Sequence, residues 1–142
     1  MNSACATEFG SKAYVFDEES RLLVVRRSDE ENHGQHYWEV PGGQLDAGES
    51  PSNSVEREVN EETSLEVKIL EPFDTWFFEK DSDTNIVGVD FLAKQVDGQV
   101  TLSAEHDEYQ WLSQGSTGEM EFYGSIGGSV QKAFQIHGER YE

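Results

Sequence analysis

Apolar residues along this chain come in short runs separated by polar or glycine-bearing stretches. "KAYVF" (Lys12–Phe16) and "RLLVVRR" (Arg21–Arg27) flank the acidic turn "DEES" and predict two strands of a hairpin or meander. The polar "SDEENHGQH" (Ser28–His36) reads as a loop, and "YWEVPGG" (Tyr37–Gly43) as a short apolar segment ended by a chain-turning Pro-Gly-Gly. "QLDAGES" continues as strand and turn. Ser50-Pro51 then opens a helix, with serine as N-cap and proline in the first turn. Val55 and Val59, at i and i+4, mark its buried side, and it runs to about Thr63. "LEVKILEPFDTWFFEK" (Leu65–Lys80) holds β-rich stretches interrupted by Pro72. "NIVGVDFLAKQV" (Asn85–Val96) and "EYQWLS" (Glu108–Ser113) are further strands. Val130, Ala133, Phe134 and His137 recur at helical spacing and predict a closing helix. Residues 1–10 read as a flexible leader and 11–142 as a single domain. About six strands with one central and one terminal helix make an α+β fold or an α/β/α sandwich around a mixed sheet.

A length of 142 residues fits one domain with its own core. No apolar run approaches the roughly 20 residues of a membrane span, and "MNSACATEFG" lacks the basic and apolar regions of a secretory signal. Cys5 is the only cysteine, so no intrachain disulfide forms, and a cytoplasmic location is expected. Charge changes the picture more. Twenty-nine acidic against ten basic residues give a net charge of −19, which repels duplex nucleic acid and anionic membranes. It also repels phosphorylated small molecules unless cations or salt intervene. At about 1 M salt the Debye length is only about 3 Å, and such acidity is what a salt-rich cytoplasm favours. An ordinary acidic protein is the alternative reading.

The helix carries the chemistry. "REVNEET" places Glu58, Glu61 and Glu62 at i, i+3 and i+4, where like charges meet on one face and repel. A solvated surface tolerates that at a cost of a few tenths of a kcal/mol per pair; a divalent cation would turn it into a binding site. The preceding loop "PGGQLDAGE" (Pro41–Glu49) adds free carbonyls, Glu49, and glycines that let backbone approach a ligand closely. Mg²⁺ prefers such oxygen ligands and typically joins one or two carboxylates to substrate phosphates. Arg57, at i, i+4 from Glu61, can brace the cluster. Metal-assisted hydrolysis of a phosphate compound is the reaction these residues point to.

The stretch "GQLDAGESPSNSVEREVNEETSL", Gly43 to Leu65, resembles the Nudix box. Gly43, Glu49, Arg57, Glu58, Val59, Glu61, Glu62 and Leu65 match it with unbroken spacing over 23 residues. One position departs: the final glycine of the box is Ser64, where a left-handed residue is usual. "WEVPGG" before the box and "VVRR" before the polar loop are also similar to the family pattern. The resemblance implies a Nudix-type α/β/α sandwich with a mixed β-sheet between helices. It implies Mg²⁺ or Mn²⁺ as cofactor, held by Glu58, Glu61 and Glu62, with the Gly42 carbonyl and Glu49 as further ligands. Arg57 would orient the carboxylates, Gly43 would lie close to substrate, and Arg27 would contact substrate phosphates.

"LSAEHDEYQWL" (Leu102–Leu112) resembles a segment of asymmetrical diadenosine tetraphosphate hydrolases, and a similar one occurs in dihydroneopterin triphosphate pyrophosphohydrolases. The likeness makes Glu105 a metal ligand or base, so the catalytic set is Glu58, Glu61, Arg57 and Glu105. Among Tyr37, Trp76, Phe78, Tyr109 and Tyr123, it marks Tyr109 as the one to stack on a nucleobase. His106 reads as structural or substrate-adjacent. The implied function is hydrolysis of a nucleoside diphosphate linked to another group, with dinucleoside polyphosphates preferred. The alternatives are a MutT-like nucleoside triphosphate pyrophosphohydrolase and a Nudix module that binds nucleotide without cleaving it. The expected partner is a small nucleotide, with no duplex nucleic acid or membrane, and the protein a monomer or homodimer.

Overall fold

In the computed structural model, residues 6–142 are described. Their chain order is β1 (Ala6–Phe16), β2 (Leu22–Arg27), β3 (Trp38–Glu39), β4 (Gly42–Gln44), α1 (Pro51–Thr63), β5 (Glu66–Asp81), β6 (Thr84–Asp97) and β7 (His106–Leu112). A short 3₁₀ turn (Gln114–Glu119) and α2 (Ile126–Arg140) follow. The sheet runs β3-β2-β1-β6-β5, with β4 antiparallel to β1 and β7 antiparallel to β2. At its centre β1 and β6 lie parallel, in register from Ala6 opposite Thr84 to Phe16 opposite Lys94.

Strand parity sends alternate residues to opposite faces. Tyr14, Phe16, Leu22, Val24 and Leu92 pack with Val130, Ala133 and Phe134 of α2. Their neighbours Ala13, Val15, Leu23, Val25 and Ala93 pack with Val55 and Val59 of α1 and with Leu65. The result is the mixed sheet between helices that the sequence predicts. No helix among the described residues is long and apolar enough to cross a membrane.

Two sequence expectations need correction. Residues 6–10 are not leader but the first half of β1, paired with Thr84–Gly88. Their side chains are mostly exposed, so no apolar alternation marks them; residues 1–5 lie outside the described range. Nor does Pro72 divide its segment. β5 is continuous because it is an edge strand with only β6 as partner, where a missing N–H is tolerated. Register shifts between Ile69 and Glu71 and between Pro72 and Asp74 absorb the irregularity.

Helix α1 begins as predicted. Ser50 Oγ accepts the Asn53 N–H at 3.2 Å, and Pro51 follows in the first turn. It stops at Ser64, which is left-handed (φ 66°, ψ 8°) and donates its N–H to the Asn60 carbonyl at 2.8 Å. A side chain in that conformation costs about 1 kcal/mol, offset in part by a 3.2 Å bond from Ser64 Oγ to the Thr101 carbonyl. Ser64→Gly is therefore expected to stabilise the fold by about 0.5–1 kcal/mol, read as a rise of a few degrees in Tm by thermal unfolding.

Candidate active site

Arg57 is the hub of the exposed half of the acidic cluster. Its Nε and Nη2 donate to the two oxygens of Glu49 at 2.8 and 2.9 Å, a bidentate fork. Its Nη1 reaches Glu61 Oε2 at 2.9 Å and lies 3.2 Å from Glu58 Oε1. Glu49 also accepts the Asp46 N–H at 3.0 Å, and the Arg57 fork with this bond holds its carboxyl down at about 2. Glu49 thus ties the β4–α1 loop to the helix, with both oxygens committed to Arg57. Glu61 is 56% exposed at its side chain and also rests on Arg57. Gly43 permits the approach of β4 to this helix, because a Cβ there would stand 3.0 Å from Glu58 Cδ.

The buried half is arranged differently. Glu39, 3% exposed, receives three cationic or proton-bearing partners from three strands. Lys12 Nζ on β1 donates at 3.1 Å, Arg27 Nη1 on β2 at 3.1 Å, and His106 Nε2 on β7 lies at 2.8 Å. Burial alone would raise the Glu39 pKa, but Lys12, His106 and Arg27 outweigh it and hold the carboxyl at about 2. The other ring nitrogen of His106 lies 3.8 Å from Glu62 Oε1.

Glu62 is 3% exposed, and its Oε2 is buried without a hydrogen-bond partner. Burial raises its pKa well above the carboxylate range; Glu58 and Glu105 add to this against the pull of Lys12. Glu105 is raised too, first by burial and then by the charge of Glu31. One ligand atom each from Glu62, Glu105 and His106 falls within 4.8 Å of the others. Carboxyl groups pressed together, with an orphaned buried oxygen among them, form the donor set that a hard divalent cation satisfies. The residues fit such an ion. Glu62 and Glu105 bring their carboxylates together here without an arginine, whereas Glu49, Glu58 and Glu61 each contact Arg57.

Glu62, Glu105 and His106 line a cavity of about 410 Å³, together with Gly42 and Gly43. Its lining also includes aromatic side chains, Trp76 and Phe78 from β5 and Tyr123 from the loop before α2. Arg27 lines the cavity as expected, its guanidinium 4.5 Å from the Tyr123 ring centroid and one nitrogen on Glu39. Tyr109 does not line it. It sits on β7 opposite Val25 and is 43% exposed, so Trp76 and Tyr123 stand where Tyr109 was expected to act. Sequence reasoning assigned no role to Lys12, Glu39 or Asp90. The available signal was a charge inside an apolar run, as in "WEV" around Glu39 and "GVDFLA" around Asp90.

Comparisons with known proteins agree with this geometry. The sequence profile of the NUDIX domain matches residues 10–121. A MutT-like protein of Streptomyces ambofaciens is 35% identical over 99 residues, covering 70% of this chain; the matched part is 59% of that relative's length. The asymmetrical bis(5'-nucleosyl)-tetraphosphatase of Rattus norvegicus is 26% identical over 120 residues, covering 81% of this chain and 79% of its own. Among solved structures, the MutT protein from Methanosarcina mazei Go1 superimposes with a TM-score of 0.81 at 25% identity, covering 98% of this chain and 100% of that one. With Gly43 and Glu62 of the box lining the cavity and its profile match spanning most of its length, the chain belongs to the Nudix hydrolase family.

Proposed function

We propose that the protein is a metal-dependent hydrolase of nucleoside diphosphate derivatives, with dinucleoside polyphosphates as its preferred class. One observation carries this reading: carboxylates with an unpartnered buried oxygen and several aromatic side chains line the same cavity. That lining suits a ligand that joins phosphates to a base. The segment around Glu105 and the tetraphosphatase relative favour the dinucleotide. The MutT-like relative supports a nucleoside triphosphate as the second candidate.

Glu58, Glu62 and Glu105 would hold Mg²⁺ or Mn²⁺, with the Gly42 carbonyl beside them. When bound, the ion neutralises phosphate charge and acidifies a water. Arg57 keeps Glu58 and Glu61 oriented by its three-way clamp. Glu105 lines the cavity with a raised pKa and accepts the proton of the attacking water. The water oxygen forms a bond to phosphorus, the bridging P–O bond breaks, and the electron pair leaves with the departing phosphate. Two phosphorylated products result. His106, held by Glu39, fixes the side of the cavity next to Glu62.

Incubation with Mg²⁺ and diadenosine tetraphosphate, 8-oxo-dGTP, ordinary dNTPs or ADP-ribose, in low and in molar KCl, tests the assignment. ATP plus AMP is the expected product pair. Monophosphate plus pyrophosphate from a triphosphate moves the protein to the second candidate, and no turnover of any of them overturns the hydrolase reading. Glu58→Gln is expected to lower kcat at least about 100-fold with the circular dichroism spectrum unchanged; EDTA abolishes turnover and Mg²⁺ restores it.

Glu39→Gln leaves Lys12 and Arg27 facing a neutral amide and is expected to cost about 3 kcal/mol at pH 7. Because folding depresses the Glu39 pKa, its contribution is complete above about 4.5 and is lost as pH falls towards about 2. Urea unfolding at pH 7, 4 and 2.5 checks this: the gap between wild type and variant should shrink at each step. A constant gap would show that packing, not charge, is what the glutamate supplies.

A further inference from the structure

The cavity wall holds a charged residue that the hydrolytic reading does not use. On β6, Ile86, Gly88, Asp90 and Leu92 alternate onto the face that packs against α2. Asp90 is 2% exposed and lines the cavity. Its register partner on β1, Lys12, gives its ammonium to Glu39 and the Val40 carbonyl instead. Lys132 of α2 pairs with Asp74 on β5. Among the described residues, what remains to hydrogen-bond it is the Ser129 hydroxyl, which also serves Tyr14. A buried carboxylate compensated by one hydroxyl is costly, and burial, reinforced by Asp74, lifts its pKa to about 7.

The neighbouring surface is flat and aromatic. Gly10 of β1 pairs with Gly88 of β6, and Trp76 of β5 lies opposite Gly88. A Cβ at Gly88 would fall 1.9 Å from Trp76 Cε2, so the indole lies directly on the glycine backbone. Its Nε1 is buried without a partner. An aromatic plate with an under-bonded carboxylate nearby is a site for a flat heterocycle that carries N–H donors on one edge.

We propose that Asp90 reads the nucleobase of the substrate, its carboxylate accepting two parallel N–H bonds from the Watson–Crick edge of a guanine ring that lies against Trp76. Guanine alone among the common bases presents two adjacent donors, N1–H and N2–H. Adenine and cytosine set an acceptor beside their amino group, and uracil flanks its single N–H with carbonyls. A carboxylate therefore pairs with guanine in two places and meets a repelling lone pair on adenine. The proposal rests on the nucleotide reading of the cavity and gives that reading a base preference.

Binding without turnover separates the two. Isothermal titration of the 142-residue chain with GDP, ADP, CDP and UDP, with Ca²⁺ in place of Mg²⁺ and in molar KCl, should show GDP at least about tenfold tighter than the others. Asp90→Asn offers one donor and one acceptor, which matches adenine, so the GDP-to-ADP ratio should fall at least about tenfold. The groups facing Asp90 are Lys12 and Tyr14 from β1, Asp74 from β5, and Ser129 and Lys132 from α2. Two N–H donors favour the ionised acid, so the wild-type preference for GDP should weaken from pH 8 to pH 6, an arm that stands even if the variant fails to fold. Equal affinity for all four bases, preference for another base, or a GDP preference unmoved by the substitution and by pH overturns the proposal. GDP selectivity with no hydrolysis of any nucleotide would uphold it and sink the hydrolase reading; turnover without base selectivity would do the reverse.

Discussion

One buried carboxylate holds the site to the sheet. Glu39 sits on a strand of only two residues, which ladder hydrogen bonds alone anchor weakly. Its side chain supplies the rest by taking Lys12 from β1, Arg27 from β2 and His106 from β7. A carboxylate out of water is costly unless paired and hydrogen-bonded, and here the pairing comes from three strands at once. Moving any of them would strand the charge. The strand that carries Gly42 and Gly43, the turn that carries Glu105 and the wall beside Glu62 are thereby fixed relative to one another, which is what a multi-carboxylate site needs from its support.

Negative charge is handled in two opposite ways within one helix. Arg57 neutralises Glu49, Glu58 and Glu61 on the outer side, in solvent, where each pair contributes little to stability but the fork fixes geometry. A turn further on, Glu62 is buried with no arginine, and its free oxygen faces other carboxyls. The same acidic composition that keeps the surface solvated becomes, in the interior, an unmet demand for a cation. A chain of net charge −19 attracts cations and repels phosphates, so screening or a bound ion is needed before an anionic substrate reaches the cavity.

Much of this was legible in the sequence because the relevant information is local. The start of α1 follows from Ser50 and Pro51, and the sharing of one face by Glu58, Glu61 and Glu62 from helical spacing alone. The left-handed turn at Ser64 was readable despite the wrong residue for it. What escaped depends on pairing between distant strands. Nothing within Ala6–Gly10 marks a strand; the partner on β6 makes it one. Pro72 looks like a break until β5 is known to be an edge. Tyr109 shares its short segment with Glu105, but one strand's register places it opposite Val25 and away from the cavity.

Charges embedded in apolar runs turned out to be the residues with most to say. Lys12 precedes "AYVF", Glu39 divides Trp38 from Val40, and Asp90 precedes "FLA". Alternation alone does not make them solvent-facing. Lys12 and Asp90 occupy the same row as Tyr14 and Leu92, towards α2, where exposure is small and every polar atom needs a partner. Two of the three find each other: Lys12 goes to Glu39, and together they tie β1 to β3 beside the cavity. That choice leaves Asp90 without the lysine directly across from it. The thinly compensated carboxylate of Asp90 in the cavity wall is thus a consequence of how the polar cluster around Glu39 is built.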